Sequence, residues 1–247
     1  MHLLDGIYVP IGLRDTVSAR KNDGGFSATY DTGAKYGNDT VLRVCELIKD
    51  FYGLKGGADF YVEKRIPEQR GLGGSSTDAG AAARLLQKMY DLPEIDLNLL
   101  VKAGSDVPYT YKGGTKRVKG LGEIVEDIIL PQFYTVTLYP SSRETQGVFT
   151  KECFALYDKI GDNNENSGDI DGFLNDFRVF NDLSESAKIL CPAVKEGLDM
   201  LKSAGFSNIS VSGSGSAVFA LERNEREFNE KLSQCLINLP KNFDISS

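Results

Sequence analysis

Three observations in the sequence predict an α+β fold built in two parts. Helix, strand, loop, strand and helix patterns follow one another across residues 192–236, the order of an α/β-plait, in which an antiparallel sheet carries helices on one face. Short alternating strands and two helical patterns fill the stretch before Pro131, and the alternating run 133–139 then restarts the fold. That restart divides the chain into residues 1–132 and 133–247, and 247 residues give two modest domains ample core.

The elements follow in order. Ile7, Val9, Ile11 and Leu13 alternate with polar residues across 3–18, a strand pattern. Asp23-Gly24-Gly25 reads as a turn joining 17–21 to 26–30 in a hairpin. Asn38, Asp39 and Thr40 offer helix caps, Val41, Val44, Cys45, Ile48 and Phe51 recur at helical spacing, and Gly53 stops the helix. Phe60 and Val62 mark a strand that runs into Lys64-Arg65-Ile66-Pro67. A glycine-rich turn then enters an alanine-rich helix reaching about Tyr90, with Ala79, Ala82, Ala83, Leu86 and Met89 as its buried stripe. A short helix at 97–102 ends at Gly104-Ser105-Asp106-Val107-Pro108, and glycines at 113–114 and 120–122 punctuate two short strands. Residues 158–169 are polar and turn-rich, a surface loop. Pro192 opens a helix with Val194, Leu198 and Leu201 on one face and Gly205 at its end. Strands at 209–211 and 217–221 flank the loop Ser212-Gly213-Ser214-Gly215-Ser216, and 224–236 is an amphipathic helix. No internal repeat is visible.

Composition narrows the function. A hydrophobic content of 41% with 26% charged residues is that of a soluble globular protein, no apolar run is long enough to cross a bilayer, and the N-terminus carries no secretion signal. Cys45, Cys153, Cys191 and Cys235 are scattered without CxxC spacing, so reduced, buried thiols in a cytoplasmic protein are expected. The one histidine, His2, leaves little room for a serine–histidine triad or a zinc site, and general-base work falls to a carboxylate. A net charge of −7 argues against nucleic acid as a partner. An anionic small molecule remains compatible, because basic residues cluster locally at Lys64, Arg65 and Arg70 and again at Lys112, Lys116, Arg117 and Lys119.

The chemistry is expected within residues 66–84. Gly71, Gly73 and Gly74 allow close backbone approach, Ser75, Ser76 and Thr77 can cap a helix or bind an anion, and a helix N-terminus attracts phosphate. The loop is neither a Walker A motif, lacking Gly-Lys-Ser/Thr, nor a dinucleotide fingerprint, since serine stands at position 76. Taken alone, these residues leave a simple helix cap and a phosphate seat equally open. Asp106, in a turn beside a proline, is either a displayed carboxylate or an Asx turn, the latter being the simpler reading in isolation.

Taken together, the pieces resemble the superfamily of galactokinase, homoserine kinase, mevalonate kinase and phosphomevalonate kinase, and within it the family of 4-diphosphocytidyl-2-C-methyl-D-erythritol kinases. The matching pieces are residues 71–80, 104–109, 113–115 with 120–123, Asn181-Asp182-Leu183 with Pro192, and 212–219, in the family's order across nearly the whole chain. The resemblance implies a ribosomal-S5-like N-terminal half and a ferredoxin-like C-terminal half. It implies transfer of the ATP γ-phosphate to the 2-hydroxyl of a cytidine-diphosphate alcohol. By similarity, the backbone of Gly71, Leu72, Gly73, Gly74, Ser75, Ser76 and Thr77 wraps the ATP phosphates, and Ser76 assists Mg²⁺. Asp106 accepts the substrate proton, His2, Gly213 and Ser214 join it in holding substrate, and the second glycine loop braces the first.

Two departures stand out. The family's early Lys-x-Asn strand and Gly-Tyr-His segment are matched only from His2 onward, which points to a chain lacking its natural N-terminus or, as the less favoured reading, to a diverged nucleotide-binding homologue. A kinase of homoserine or mevalonate, or a structural protein whose glycine loops are mere turns, would also be compatible with the pattern. Glu68-Gln69-Arg70 replaces the usual small residues, with Arg70 expected to point into solvent rather than at the phosphates.

Overall fold

In the computed structural model, residues 2–141, 147–161, 170, 172–173 and 178–247 are described. Contacts divide the chain between Ile129 and Leu130, with one exception: Pro67–Leu72 belongs to the second unit although sequence on both sides belongs to the first.

The first unit holds β1 (Leu4–Tyr8), β2 (Thr16–Asn22), β3 (Phe26–Tyr30), α1 (Thr40–Tyr52), β4 (Gly57–Glu63), α2 (Gly74–Met89), α3 (Leu97–Leu100), α4 (Val107–Lys112), β5 (Lys116–Gly120) and β6 (Ile124–Asp127). The alternation at 3–18 is broken after Tyr8, where Pro10 and Gly12 interrupt the run, so two strands replace one. The expected hairpin does not form. β4 inserts between β2 and β3, antiparallel to the first and parallel to the second, because its alternating buried face makes it the central strand. Pairing β3 with β4 in parallel requires a crossover, which α1 supplies.

Asp39 caps α1 as expected, its Oδ1 accepting from the Val41 and Leu42 N–H groups at 2.8 and 3.2 Å, and Gly53 ends it in the left-handed region. Val41, Val44, Cys45 and Ile48 are buried against Ala79, Ala82, Ala83 and Leu86 of α2, whereas Phe51, assigned to the same stripe, is 61% exposed near the helix end. The alanines bring the helices close, and at Gly80 even a Cβ would collide with Thr110 of α4. The second three-stranded sheet, β1-β5-β6, is antiparallel throughout.

The second unit contains β7 (Tyr134–Pro140), α5 (Thr150–Ile160), α6 (Ser184–Leu190), α7 (Pro192–Ser203), β8 (Asn208–Val211), β9 (Val218–Glu222), α8 (Glu225–Ile237) and β10 (Phe243–Ser246). Its sheet runs β10-β7-β9-β8, all antiparallel, and buries Leu138, Ala220 and Val218 with Val194, Leu201 and Phe228 of α7 and α8 in one core. This is the expected plait, with β10 as an additional edge strand. The surface loop read at 158–169 begins later than expected, since 158–160 complete α5; residues 162–169 lie outside the described residues. All four cysteines are buried, and none of them forms a disulfide. Among the described residues no helix is long and apolar enough to cross a membrane.

Candidate active site

The N-terminus of α2 opens with Gly73 in the left-handed region, φ 67°, and among the described residues no side chain caps it. The first hydrogen bond of the helix runs from Thr77 N to the Gly73 carbonyl at 2.8 Å, so the N–H groups of the preceding turn lack intrahelical partners. Of the three hydroxyls, Thr77 Oγ1 donates back to the Gly73 carbonyl at 2.9 Å and Ser75 is exposed. Ser76 faces the Asp106 turn: a Cβ on Gly104 would lie 3.9 Å from its Oγ, and Thr110 Oγ1 donates to its carbonyl at 2.7 Å.

Asp106 occupies the N-cap of α4, a helix that sequence patterning does not reveal because Val-Pro-Tyr-Thr-Tyr-Lys is short and rich in poor helix formers. An N-cap aspartate ordinarily accepts from the N–H of the second or third helical residue; Pro108, the second, has none to give, and among the described residues the Asp106 carboxylate makes no capping bond to the third either. The Asx-turn reading is therefore wrong. Asp106 Oδ1 instead accepts from the Tyr8 hydroxyl at 3.2 Å. Burial pushes its carboxyl above the usual carboxylate range, and the Tyr8 hydrogen bond pulls the other way. The glycines at 120–122 have a matching purpose: at Gly122 a Cβ would strike the Ser105 carbonyl, so only glycine lets that loop lie against the turn.

Behind the helix start lies a buried ionic cluster. Lys64 Nζ, at the end of β4, is 2.5 Å from Asp15 Oδ2 and 2.7 Å from Asp78 Oδ2, with both carboxylates almost wholly buried. Asp15 Oδ1 also accepts from the backbone N–H of Ile66 at 2.8 Å, fixing the chain as it leaves β4. Burial pushes Asp78 up to about 7 against the pull of Lys64, and Asp78 Oδ1 has no hydrogen-bond partner among the described residues. Lys64 itself is held above the ordinary lysine value by its two carboxylates, against the effect of burial. Sequence reasoning counted Lys64 merely as local positive charge. The overlooked signal was Asp78, an acid within an otherwise apolar helical stripe, which demands a partner.

In the second unit, Pro67–Leu72 is held by its carbonyls. Gln69 O accepts from Val148 N at 3.1 Å, Arg70 O from Ala217 N at 2.9 Å and Gly71 O from Ser212 Oγ at 2.9 Å. With these oxygens occupied, N–H groups are what the segment can offer a ligand. Arg70 does not point into solvent. It is 2% exposed, and its Nε donates to the Pro140 carbonyl at 2.9 Å. Within the second glycine loop, the bracing contact comes from Ser212. Ser214 is buried with its Oγ 3.0 Å from Thr150 Oγ1, and Gly213 is exposed with its carbonyl taken by Asn181 Nδ2 at 2.7 Å. His2 is half-buried just ahead of β1.

Comparison with known proteins agrees with this geometry. Residues 39–114 match the GHMP kinases N terminal domain and residues 156–238 the GHMP kinases C terminal domain. The 4-diphosphocytidyl-2-C-methyl-D-erythritol kinase of Polaromonas naphthalenivorans is 33% identical over 89% of this chain and 77% of its own length. The enzyme of the same name from Polynucleobacter necessarius is 31% identical over 97% of this chain and 81% of its own length. Among solved structures, a 4-(cytidine 5'-diphospho)-2C-methyl-D-erythritol kinase superposes with a TM-score of 0.73 at 24% identity, covering 99% of this chain and 90% of that one. A homoserine kinase from Cytophaga hutchinsonii gives 0.66 at 17% identity, covering 94% and 85%, a likeness of fold.

Proposed function

Since the chain belongs to the 4-diphosphocytidyl-2-C-methyl-D-erythritol kinases, a family of GHMP kinases, we propose how its residues divide the transfer of the ATP γ-phosphate to the substrate 2-hydroxyl. The reaction is an ATP-dependent phosphorylation of a cytidine-diphosphate alcohol on the way to isoprenoids. Asp106 is the base. The observation that carries this assignment is its side chain, which sits at a helix N-cap yet does not cap, and lies in the turn beside Ser76. Its other oxygen, Oδ2, accepts no hydrogen bond among the described residues and is available to a substrate hydroxyl.

The phosphates are seated by backbone N–H groups of Gly71, Leu72, Gly73, Gly74, Ser75, Ser76 and Thr77, the last four opening α2, whose dipole adds to the attraction. Phosphoryl transfer asks for positioning, charge neutralisation and a base, and this set supplies each. The donor set also fits Mg²⁺, an ion held by one or two protein oxygens together with substrate phosphates. Ser76 Oγ beside the Asp106 turn is such an oxygen, and among the described residues no cluster of three or more metal-ligating side chains competes for a metal. Bound there, Mg²⁺ supplies neutralisation of the charge on the β- and γ-phosphates. His2, Gly213 and Ser214 are assigned to the substrate on the family resemblance, and the buried Ser214 would act through its fixed hydroxyl pair with Thr150.

The test is product formation by the full-length protein with Mg·ATP and 4-diphosphocytidyl-2-C-methyl-D-erythritol, with homoserine and mevalonate as competing acceptors. Phosphorylation of the cytidine diphosphate alcohol alone is expected. Preferred phosphorylation of either smaller alcohol would overturn the substrate assignment and leave the kinase reading in place.

A further inference from the structure

α4 is six residues long and rich in poor helix formers, so its place is set by what it packs on. That surface is one stripe of α2, formed by Ser76, Gly80, Arg84 and Gln87 at helical spacing. Arg84 Nη1 donates to the Thr110 and Tyr111 carbonyls, the latter at 3.0 Å, and the Tyr111 hydroxyl donates to Gln87 Oε1 at 2.8 Å. Gly80 lets the two helices touch: a Cβ there would lie 2.4 Å from Thr110 Oγ1 and 2.7 Å from the Thr110 carbonyl carbon.

Past Gly80, Thr110 reaches the first turn of α2. Its Oγ1 donates to the Ser76 carbonyl at 2.7 Å and lies 3.1 Å from the carbonyl of Val107, the residue after Asp106. A helical threonine hydroxyl commonly turns back to its own backbone, yet here the shorter contact is the one across to α2. A carbonyl has two lone pairs, so Ser76 can take this donor in addition to the N–H four residues on. The hydroxyl thus stands between the residue that follows the base and the residue whose own Oγ faces the Asp106 turn.

We propose that Thr110 is a positioning residue for phosphoryl transfer, its hydroxyl holding the Asp106 end of α4 in register with the first turn of α2. The role rests on Asp106 acting as the base. Arg84 and Tyr111 grip the C-terminal end of α4, about which the helix could still swing. Such a swing moves Asp106 most, and the Thr110 hydroxyl, leaning back to the level of Val107, opposes it. A misplacement of about 1 Å between reacting groups can cost about 10²-fold in rate, so one hydrogen bond at this place matters to turnover. The phosphate-binding N–H groups belong to α2 itself, whose ladder does not depend on Thr110, so ATP binding should be spared.

The test is turnover by the full-length protein carrying Thr110→Val, Thr110→Ala or Thr110→Ser, with Mg·ATP and 4-diphosphocytidyl-2-C-methyl-D-erythritol, and a thermal melt of each. Loss of the hydroxyl should lower kcat about tenfold, the scale of one hydrogen bond, and leave KM for ATP within about twofold. Serine, which keeps the hydroxyl, should hold kcat within about twofold of the unaltered protein. Alanine, the best helix former, differs from serine by the hydroxyl alone and carries the comparison if the valine variant folds poorly. On an Asp106→Asn background, where the base is already gone, Thr110→Ala should cost less than about twofold more. Equal kcat for alanine and serine, a loss that appears in KM for ATP instead, or a further loss of about tenfold on top of Asp106→Asn overturns the role of Thr110 and leaves the base in place. Full turnover by Asp106→Asn alone overturns the base assignment itself.

Discussion

Asp106 and Asp78 stand on neighbouring helices of one unit, and the fold treats them in opposite ways. Asp78 is 1% exposed and bound to a lysine that is also bound to Asp15, so it serves to fix the start of α2. Asp106 keeps partial exposure, and among the described residues its carboxylate accepts from the Tyr8 hydroxyl alone. Burial raises both carboxyls, yet the lysine pins one, while the other, the proposed base, has no such partner among the described residues. The difference teaches that a perturbed carboxylate marks a reaction centre only where its partners leave it something to do.

The largest expected effect strikes the pinned side. Lys64→Met strands the buried Asp15 carboxylate and leaves Asp78 without its partner, and should cost about 3–5 kcal/mol, read as a fall in the denaturant midpoint. If stability fell by less than about 1 kcal/mol, the ionic cluster would not be what fixes the helix start. Asp78→Asn should be far milder, about 1 kcal/mol or less, because a carboxyl raised to about 7 is almost as content neutral as charged at that pH. A loss as large as that of Lys64→Met would erase the contrast. Asp39→Ala, which removes the α1 cap and the acceptor of the Tyr30 hydroxyl, should cost about 1 kcal/mol and leave turnover unchanged.

The open side makes a pH prediction. A general base works only when deprotonated, so activity should fall as pH drops through the Asp106 value. Because burial raises that value, the acid limb of kcat should lie above the ordinary carboxylate range of about 4. A rate that stays level down to about pH 4 would remove Asp106 from the proton transfer.

Much of this was legible in the sequence, for local reasons. The glycine turn and alanine run announced α2, Asp39 and Gly53 bounded α1, and the alternation around 209–221 announced two strands of the plait. Asp106 was singled out by its turn beside Pro108, which alone read more simply as an Asx turn, and its role as base came only through the family resemblance. What stayed hidden depends on distant pairing. β4 between β2 and β3, β10 at the sheet edge, and Tyr8 opposite Lys116 are set by partners far along the chain, which periodicity does not record. Arg70 was misread for the same reason: the Pro140 carbonyl that draws it inward lies seventy residues on.

The measurement closest to the central claim is single-turnover phosphorylation by Asp106→Asn and Asp78→Asn side by side, with a thermal melt of each. Asp106→Asn should lose at least about 10²-fold in rate with its melting temperature unchanged, while Asp78→Asn stays within a few-fold of the unaltered protein. Equal rates for the two variants would contradict the division of labour between these carboxylates.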